Sequence, residues 1–242
     1  MSSLYRRFQR VRCCWKGNSS VLETARLRVY FRGLTVRIKI CGITRPVDAE
    51  QALGLGADAV GCVFHSGSAR AVSMGVARDI SSAAAGSGTL VGLFVDPTAE
   101  QVEAVLESVP LDVLQFHGTE NPEFCGQFAR PYIKAVAMTA DVDLAAVSQR
   151  YATAEALLLD SAHDGQFGGT GRRFDWSWAD HAVSKRTILA GGLNPDNVSA
   201  AIEQVGPSAV DVSSGVEREK GLKDPAKMRA FIEAAKWAMS EN

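Results

Sequence analysis

The sequence predicts an α/β fold: a single (β/α)8 TIM barrel over residues 37–242, with a basic, non-core N-terminal extension at 1–36. Three observations support this. Short apolar runs rich in β-branched residues recur with starts roughly 20–30 residues apart, the length of one βα unit. Helical patterns with capping signals fill the intervals between them. The chain of 242 residues is close to the size of one such barrel.

Candidate strands are Arg37–Cys41, Asp58–Phe64, Thr89–Val95, Asp112–Phe116, Tyr132–Met138, Glu155–Asp160, Thr187–Ala190 and Ser208–Val212. Several are continuous apolar runs, as expected of parallel strands buried on both faces. Pro46 suits the first turn of the first helix. Thr98 and Gln101 form a T-x-x-Q capping box, followed by Val102, Val105, Leu106 and Val109 at helical spacing. Asn121–Pro122, Asn194–Pro195 and Asp224–Pro225 each put a capping residue before a proline at the first helical position. Trp176 and Trp178 read as packing residues that begin the sixth helix. In the last helix Met228, Phe231, Ile232, Ala235 and Trp237 form the apolar set. An open doubly wound sheet is the competing architecture, but no G-x-G-x-x-G follows the first strand.

Composition narrows the function. Hydrophobic residues are 46% and charged residues 22%, ordinary for a globular protein. No apolar run approaches the ~18–20 residues of a membrane helix. The net charge of −1 hides an asymmetry: residues 1–36 hold eight basic residues and one acid, Glu23. From position 37 onward 18 basic face 26 acidic residues, a body near −8 with no basic stripe. That argues against nucleic acid as a partner. The extension reads as a segment outside the fold, disordered, with the structured chain starting near Val36 or Arg37. An organelle transit peptide is the alternative, and a nucleic-acid-binding arm a weaker third.

The five cysteines (Cys13, Cys14, Cys41, Cys62 and Cys125) are odd in number and lack zinc-site spacing. A reducing compartment follows, hence a cytoplasmic location, or an organelle if residues 1–36 are a transit peptide. The four scattered histidines suggest no metal.

In such a barrel the active site lies at the C-terminal ends of the strands. The polar residues ending strands are Cys41, His65, Asp96, His117, Asp160, Asp211 and the pair Ser213–Ser214, and Arg70 can reach in from a loop. Glycine clusters follow strand 6 (Gly168-Gly169-Thr170-Gly171), strand 7 (Gly191-Gly192) and strand 8 (Ser213-Ser214-Gly215). Barrel phosphate sites are commonly built from the loops after strands 7 and 8, where glycine lets backbone N–H groups approach the anion.

The segment Lys39-Ile40-Cys41-Gly42-Ile43-Thr44 is similar to the strand-1 signature of phosphoribosylanthranilate isomerases. Leu114-Gln115-Phe116-His117-Gly118, Leu158-Leu159-Asp160-Ser161 and Gly168-Gly169-Thr170-Gly171 resemble that family's later motifs. So do Leu189-Ala190-Gly191-Gly192-Leu193 and the run Val210–Glu217. The resemblance covers residues 37 to about 240. It implies an Amadori rearrangement in tryptophan biosynthesis. N-(5′-phosphoribosyl)anthranilate becomes 1-(2-carboxyphenylamino)-1-deoxyribulose 5-phosphate by general acid–base catalysis, with no metal and no organic cofactor.

By the same resemblance Cys41 is the general base and Asp160 the general acid. Arg70 holds the anthranilate carboxylate, and His117 and Asp211 belong to the substrate shell. Gly169, Gly191, Gly192, Ser214 and Gly215 bind the phosphate. The partner is a small phosphosugar, and the protein is a monomer or homodimer. Physics adds two demands. A thiol of pKa ~8.5 needs a cationic or hydrogen-bonding neighbour to act as a base near neutrality. Asp160 must retain a proton despite a reference value of ~3.9.

Read singly, each residue has a plainer role. Cys41 is a small buried hydrophobe, Asp160 a cap or ion-pair member, Arg70 a solvated charge, His117 a cap and Asp211 a backbone brace. Cys62 and Cys125 are structural, Cys13 and Cys14 incidental, and His65 and His163 match no motif. The nearest rival is ProFAR isomerase, for which an aspartate is expected at the end of strand 1, so Cys41 favours the anthranilate substrate. A barrel accepting both substrates stays open. Indole-glycerol-phosphate synthase is disfavoured because its strand-1 lysine chemistry is unmatched. A catalytically silent phosphosugar- or protein-binding barrel is the rival of another class.

Overall fold

A computed structural model describes residues 36–161, 173–179 and 185–240. Eight parallel strands close into a barrel in sequence order: β1 (Arg37–Ile40), β2 (Ala59–Val63), β3 (Thr89–Phe94), β4 (Val113–Phe116), β5 (Tyr132–Met138), β6 (Ala156–Ser161), β7 (Arg186–Leu189) and β8 (Ala209–Val212). The seam pairs β1 with β8, aligning Lys39 with Asp211 and Ile40 with Val212. Strand bounds fall within two residues of those predicted.

The helices are α1 (Pro46–Gly54), α2 (Met74–Ala84), α3 (Ala99–Ser108), α4 (Pro122–Gly126), α5 (Leu144–Arg150), α6 (Val198–Val205) and α7 (Pro225–Ser240). Local chemistry starts them. Pro46 opens α1. The Thr98–Gln101 capping box on α3 is made in both directions. Asn121 caps α4 by accepting from Phe124 N, and Asp224 accepts from Ala226 N and Lys227 N ahead of α7.

Three expectations need correction. Asn194–Pro195 does not begin a helix: Asn194 accepts from Asp196 N, and α6 starts at Val198 behind Asn197. An Asx turn has taken the capping side chain. Trp176 and Trp178 lie in a 3-10 turn, Trp176–Trp178, whose Asp175 accepts from Ser177 N. Trp237 is 57% exposed on α7, whereas Met228, Phe231, Ile232 and Ala235 are buried. The apolar stripe of α7 continues through Ala238, which leaves Trp237 on the adjoining face.

Period-2 alternation divides the strands between two cores. Outward residues such as Ile38, Ile40, Leu114 and Phe116 pack beneath the helices. Inward Ala59, Val91, Val113, Ile133, Ala156, Leu158, Ile188 and Ala209 fill the barrel. Phe116 anchors an aromatic cluster, with ring centroids 5.8 Å from Phe124, 5.9 Å from Phe128 and 6.0 Å from Tyr132. Truncating such a residue to alanine costs about 3–5 kcal/mol. With the lower barrel filled by apolar side chains, polar inward residues are gathered at its upper end.

Candidate active site

The alternation that sends Ile38 and Ile40 outward sends Lys39 and Cys41 inward. One cavity at the C-terminal end of the barrel is lined by Cys41, His65, Arg70, Gln115, His117, Asp160, Gly191, Gly192, Asp211, Ser213 and Ser214, with Val63, Leu93 and Val95 among its apolar wall. The predicted strand-end residues converge there, with two exceptions. Asp96, at the left-handed φ of 42°, instead accepts from Thr119 N and Thr119 Oγ1. Gly215 sits behind the cavity, packed on the Leu193 carbonyl. Gly169 lies outside the described residues.

Cys41 is buried beside the interior pair Lys39–Asp211, with Lys39 Nζ 2.9 Å from Asp211 Oδ1. Burial pushes the Cys41 thiol above its ordinary value, while the Lys39 ammonium pulls it down by charge and hydrogen bonding. The cationic neighbour expected for a thiol base therefore lies two residues before this thiol in the chain.

Asp160 is held from two sides. Oδ2 lies 3.1 Å from His117 Nε2, and Oδ1 accepts from Ser161 N at 2.8 Å. Gly191, at φ 76°, makes room: a Cβ there would stand 2.7 Å from Ser161 N and 2.9 Å from Asp160 Oδ1. His117 Nδ1 lies 3.1 Å from Gln115 Nε2. The row supports two proton arrangements. In one, Gln115 donates to Nδ1 and Nε2–H donates to the Asp160 carboxylate. In the other, protonated Asp160 donates to Nε2, and Nδ1–H points to the carboxamide oxygen after a side-chain flip.

The loop carrying His117 is braced from below. Asp96 N and Gly118 N donate to the Glu120 carboxylate, and Lys134 Nζ reaches Glu120 Oε2 at 3.1 Å and Gly118 O at 2.7 Å. Across the cavity, Arg70 is already engaged. Its Nε and Nη2 donate to the two Glu217 oxygens at 2.7 and 2.8 Å. Lys223 Nζ meets Glu217 Oε1 at 2.9 Å. Glu217 and Lys223 belong to a small hairpin after β8: β9 (Glu217–Glu219) and β10 (Leu222–Lys223). Gly42 accommodates the Arg70 stem, since a Cβ there would stand 2.5 Å from Cδ.

Sequence reasoning missed several of these groups. Lys39 and Gln115 were detectable, each two residues before a chosen residue and hence on its face. Glu217 stood within a quoted motif but had no assigned role. Lys223 gave no local signal, because only the hairpin brings it in. Among the described residues no cluster of His, Cys, Asp or Glu is placed to hold a metal, and no helix is long and apolar enough to cross a membrane.

The family model for N-(5'phosphoribosyl)anthranilate (PRA) isomerase matches residues 38–234. An N-(5'-phosphoribosyl)anthranilate isomerase of Nitrosococcus oceani is 52% identical over 199 residues, covering 82% of this chain and 97% of its own. A solved phosphoribosyl anthranilate isomerase in complex with reduced 1-(o-carboxyphenylamino)-1-deoxyribulose 5-phosphate superposes with a TM-score of 0.73. It is 38% identical, covering 84% of this chain and 100% of that one. A structure of monomers generated from the dimeric Thermotoga maritima enzyme gives a TM-score of 0.71 at 38% identity, with the same coverage.

Proposed function

Since this chain belongs to the N-(5'-phosphoribosyl)anthranilate isomerase family, we infer that the cavity at the head of its barrel carries out the family's rearrangement through Cys41 and Asp160. The protein is a PRA isomerase of tryptophan biosynthesis, an isomerase of the aldose–ketose type. The observation that carries the residue assignment is that Cys41 and Asp160 project from β1 and β6 into one cavity, each with a partner suited to its task.

Asp160 gives its proton to the furanose ring oxygen, the C1–O bond breaks, and the nitrogen lone pair forms a Schiff base. The Cys41 thiolate then takes the proton from C2, and the electron pair moves into the enolamine, which tautomerises to the ketone. The hydrogen bond between His117 and Asp160 keeps a proton within reach of the carboxyl. Substrate negative charge favours the protonated carboxyl. Arg70 faces the anthranilate carboxylate with the N–H groups that Glu217 leaves over. Gly191 and Gly192, with Ser214, form the phosphate cradle, supported by left-handed glycines at φ 76° and 67°, and Gly215 backs the cradle from behind against Leu193. Asp211 acts from the floor through Lys39.

We read residues 37–242 as the catalytic domain, working on a small phosphosugar as a monomer or homodimer. A cytoplasmic site agrees with Cys41, Cys62 and Cys125 being free thiols.

The test follows loss of phosphoribosylanthranilate fluorescence, with chelator present, for the wild type, Cys41→Ala and Asp160→Asn. Rapid loss that collapses in both variants is expected, by about 10²–10⁴-fold for each group. Failure of folded wild type to turn over would sink the assignment, as would a fully active Cys41→Ala.

A further inference from the structure

We propose that Lys39 is a positioning residue for this reaction: its buried ammonium, anchored by Asp211, lowers the cost of forming the Cys41 thiolate that takes the C2 proton. The inference deepens the reading of Cys41 as the base and rests on it.

Three features of the fold bring the groups together. Lys39 and Cys41 share the inner face of β1 by alternation. Lys39 has no solvent exposure, and its Nζ is tied to Asp211 on β8 at 2.9 Å. Across the barrel wall, β2 presents Gly61. A Cβ at that position would stand 3.0 Å from Cys41 Sγ and 3.3 Å from Lys39 Nζ. Both groups thus converge on the one inward site of β2 that lacks a side chain. A buried Lys–Asp pair is a weak source of stability, since well-packed apolar residues of similar volume often serve as well. Placed under the sulfur proposed as the base, the pair has a use in the reaction.

The other charged and titratable groups facing the thiol are few. Asp211 opposes its ionisation and Lys223 on β10 favours it. Arg70 from the β2–α2 loop and Cys62 on β2 also feel its charge. Arg70 and Lys223 are already engaged by Glu217. Lys39 is paired too, with Asp211, but of these cations it is the one that also hydrogen-bonds the sulfur; it is the cation best placed to stabilise the anion, and Asp211 keeps it from swinging away.

The test combines the pH dependence of kcat/KM with the ultraviolet thiolate absorbance of Cys41, taken as the difference from Cys41→Ala. Lys39→Met should raise the thiol pKa by about one to three units. At neutral pH kcat/KM should fall by about tenfold or more and recover as pH rises. Lys39→Met/Asp211→Asn removes both charges, leaves no buried carboxylate unpaired, and should show a smaller shift of the same sign. Gly61→Ala keeps both charges, forces the sulfur and ammonium apart, and should shift the same way. A thiol pKa in these variants equal to that of the wild type overturns the positioning role, even if activity drops at every pH. A fully active Cys41→Ala would instead remove the assignment of the base on which the proposal rests.

Discussion

His117 Nε2 lies 3.1 Å from Asp160 Oδ2, so the acid proposed for ring opening is bonded to a residue that can hold its proton. His117→Ala should lower kcat by about 10²-fold to 10³-fold, within the range of assisted proton transfer, with a smaller effect on KM. Gln115→Leu should act in the same direction but more weakly, by freeing Nδ1. Steady-state kinetics check both, and an unchanged kcat in His117→Ala would remove the histidine from the proton path.

Arg70, proposed to meet the substrate carboxylate, is held from behind by Glu217. Glu217→Ala leaves Arg70 and Lys223 buried without their anion, and should cost about 3–5 kcal/mol in denaturant unfolding while raising KM. Burial alone would raise the Glu217 pKa, but the Arg70 hydrogen bonds and the Lys223 charge bring it below its ordinary 4.5. A depressed carboxylate stabilises the fold above its unfolded value and loses that contribution as pH falls through the folded one. The stability gap between wild type and Glu217→Ala should therefore narrow below pH 4.5.

Gly191→Ala places a methyl group against Ser161 N and Asp160 Oδ1 at a backbone φ of 76°. The strain is about 1–3 kcal/mol, and the carboxyl that relieves it is the proposed acid. Loss of kcat should therefore exceed what the drop in Tm predicts. Equal activity per folded molecule would show that Asp160 has room to spare.

Burial pushes the Cys62 and Cys125 thiols from an ordinary value of 9.0 up to about 12. The folded state holds those protons more tightly than the unfolded chain, so their contribution is complete below pH 9 and is lost as pH rises towards 12. Thermal unfolding across that interval should show Tm falling, and less steeply in Cys62→Ala/Cys125→Ala. Identical slopes would assign the alkaline loss to other groups.

Much of the barrel was legible because its signals are local. Buried parallel strands read as continuous apolar runs, and the caps at Thr98, Asn121 and Asp224 do their work within one helical turn. The misreadings were contextual. Asn194 used its side chain in a turn before α6 could begin, and Trp237 shares a helix with core residues without sharing their face. At the candidate site, strand-end logic points to Cys41, His117, Asp160 and Asp211, which line one cavity. The pairing of Arg70 with Glu217, 147 residues away, and the inward arrival of Lys223 depend on tertiary closure that no sequence window contains. Strand alternation does offer Lys39, since it shares an inward face with Cys41 two residues on.

The Lys39–Asp211 pair spans 172 positions of the chain and bridges the seam where the first strand meets the last. A chain emerging from the ribosome makes the cysteine and its lysine early, but the carboxylate that steadies the lysine arrives only with β8. By the role proposed for Lys39, the thiol gains its full basicity at the moment the cylinder closes. An incomplete chain would then carry a muted base. Two halves cut between β4 and β5 would be expected to regain chemistry only on reassembly, making turnover a direct report of ring closure.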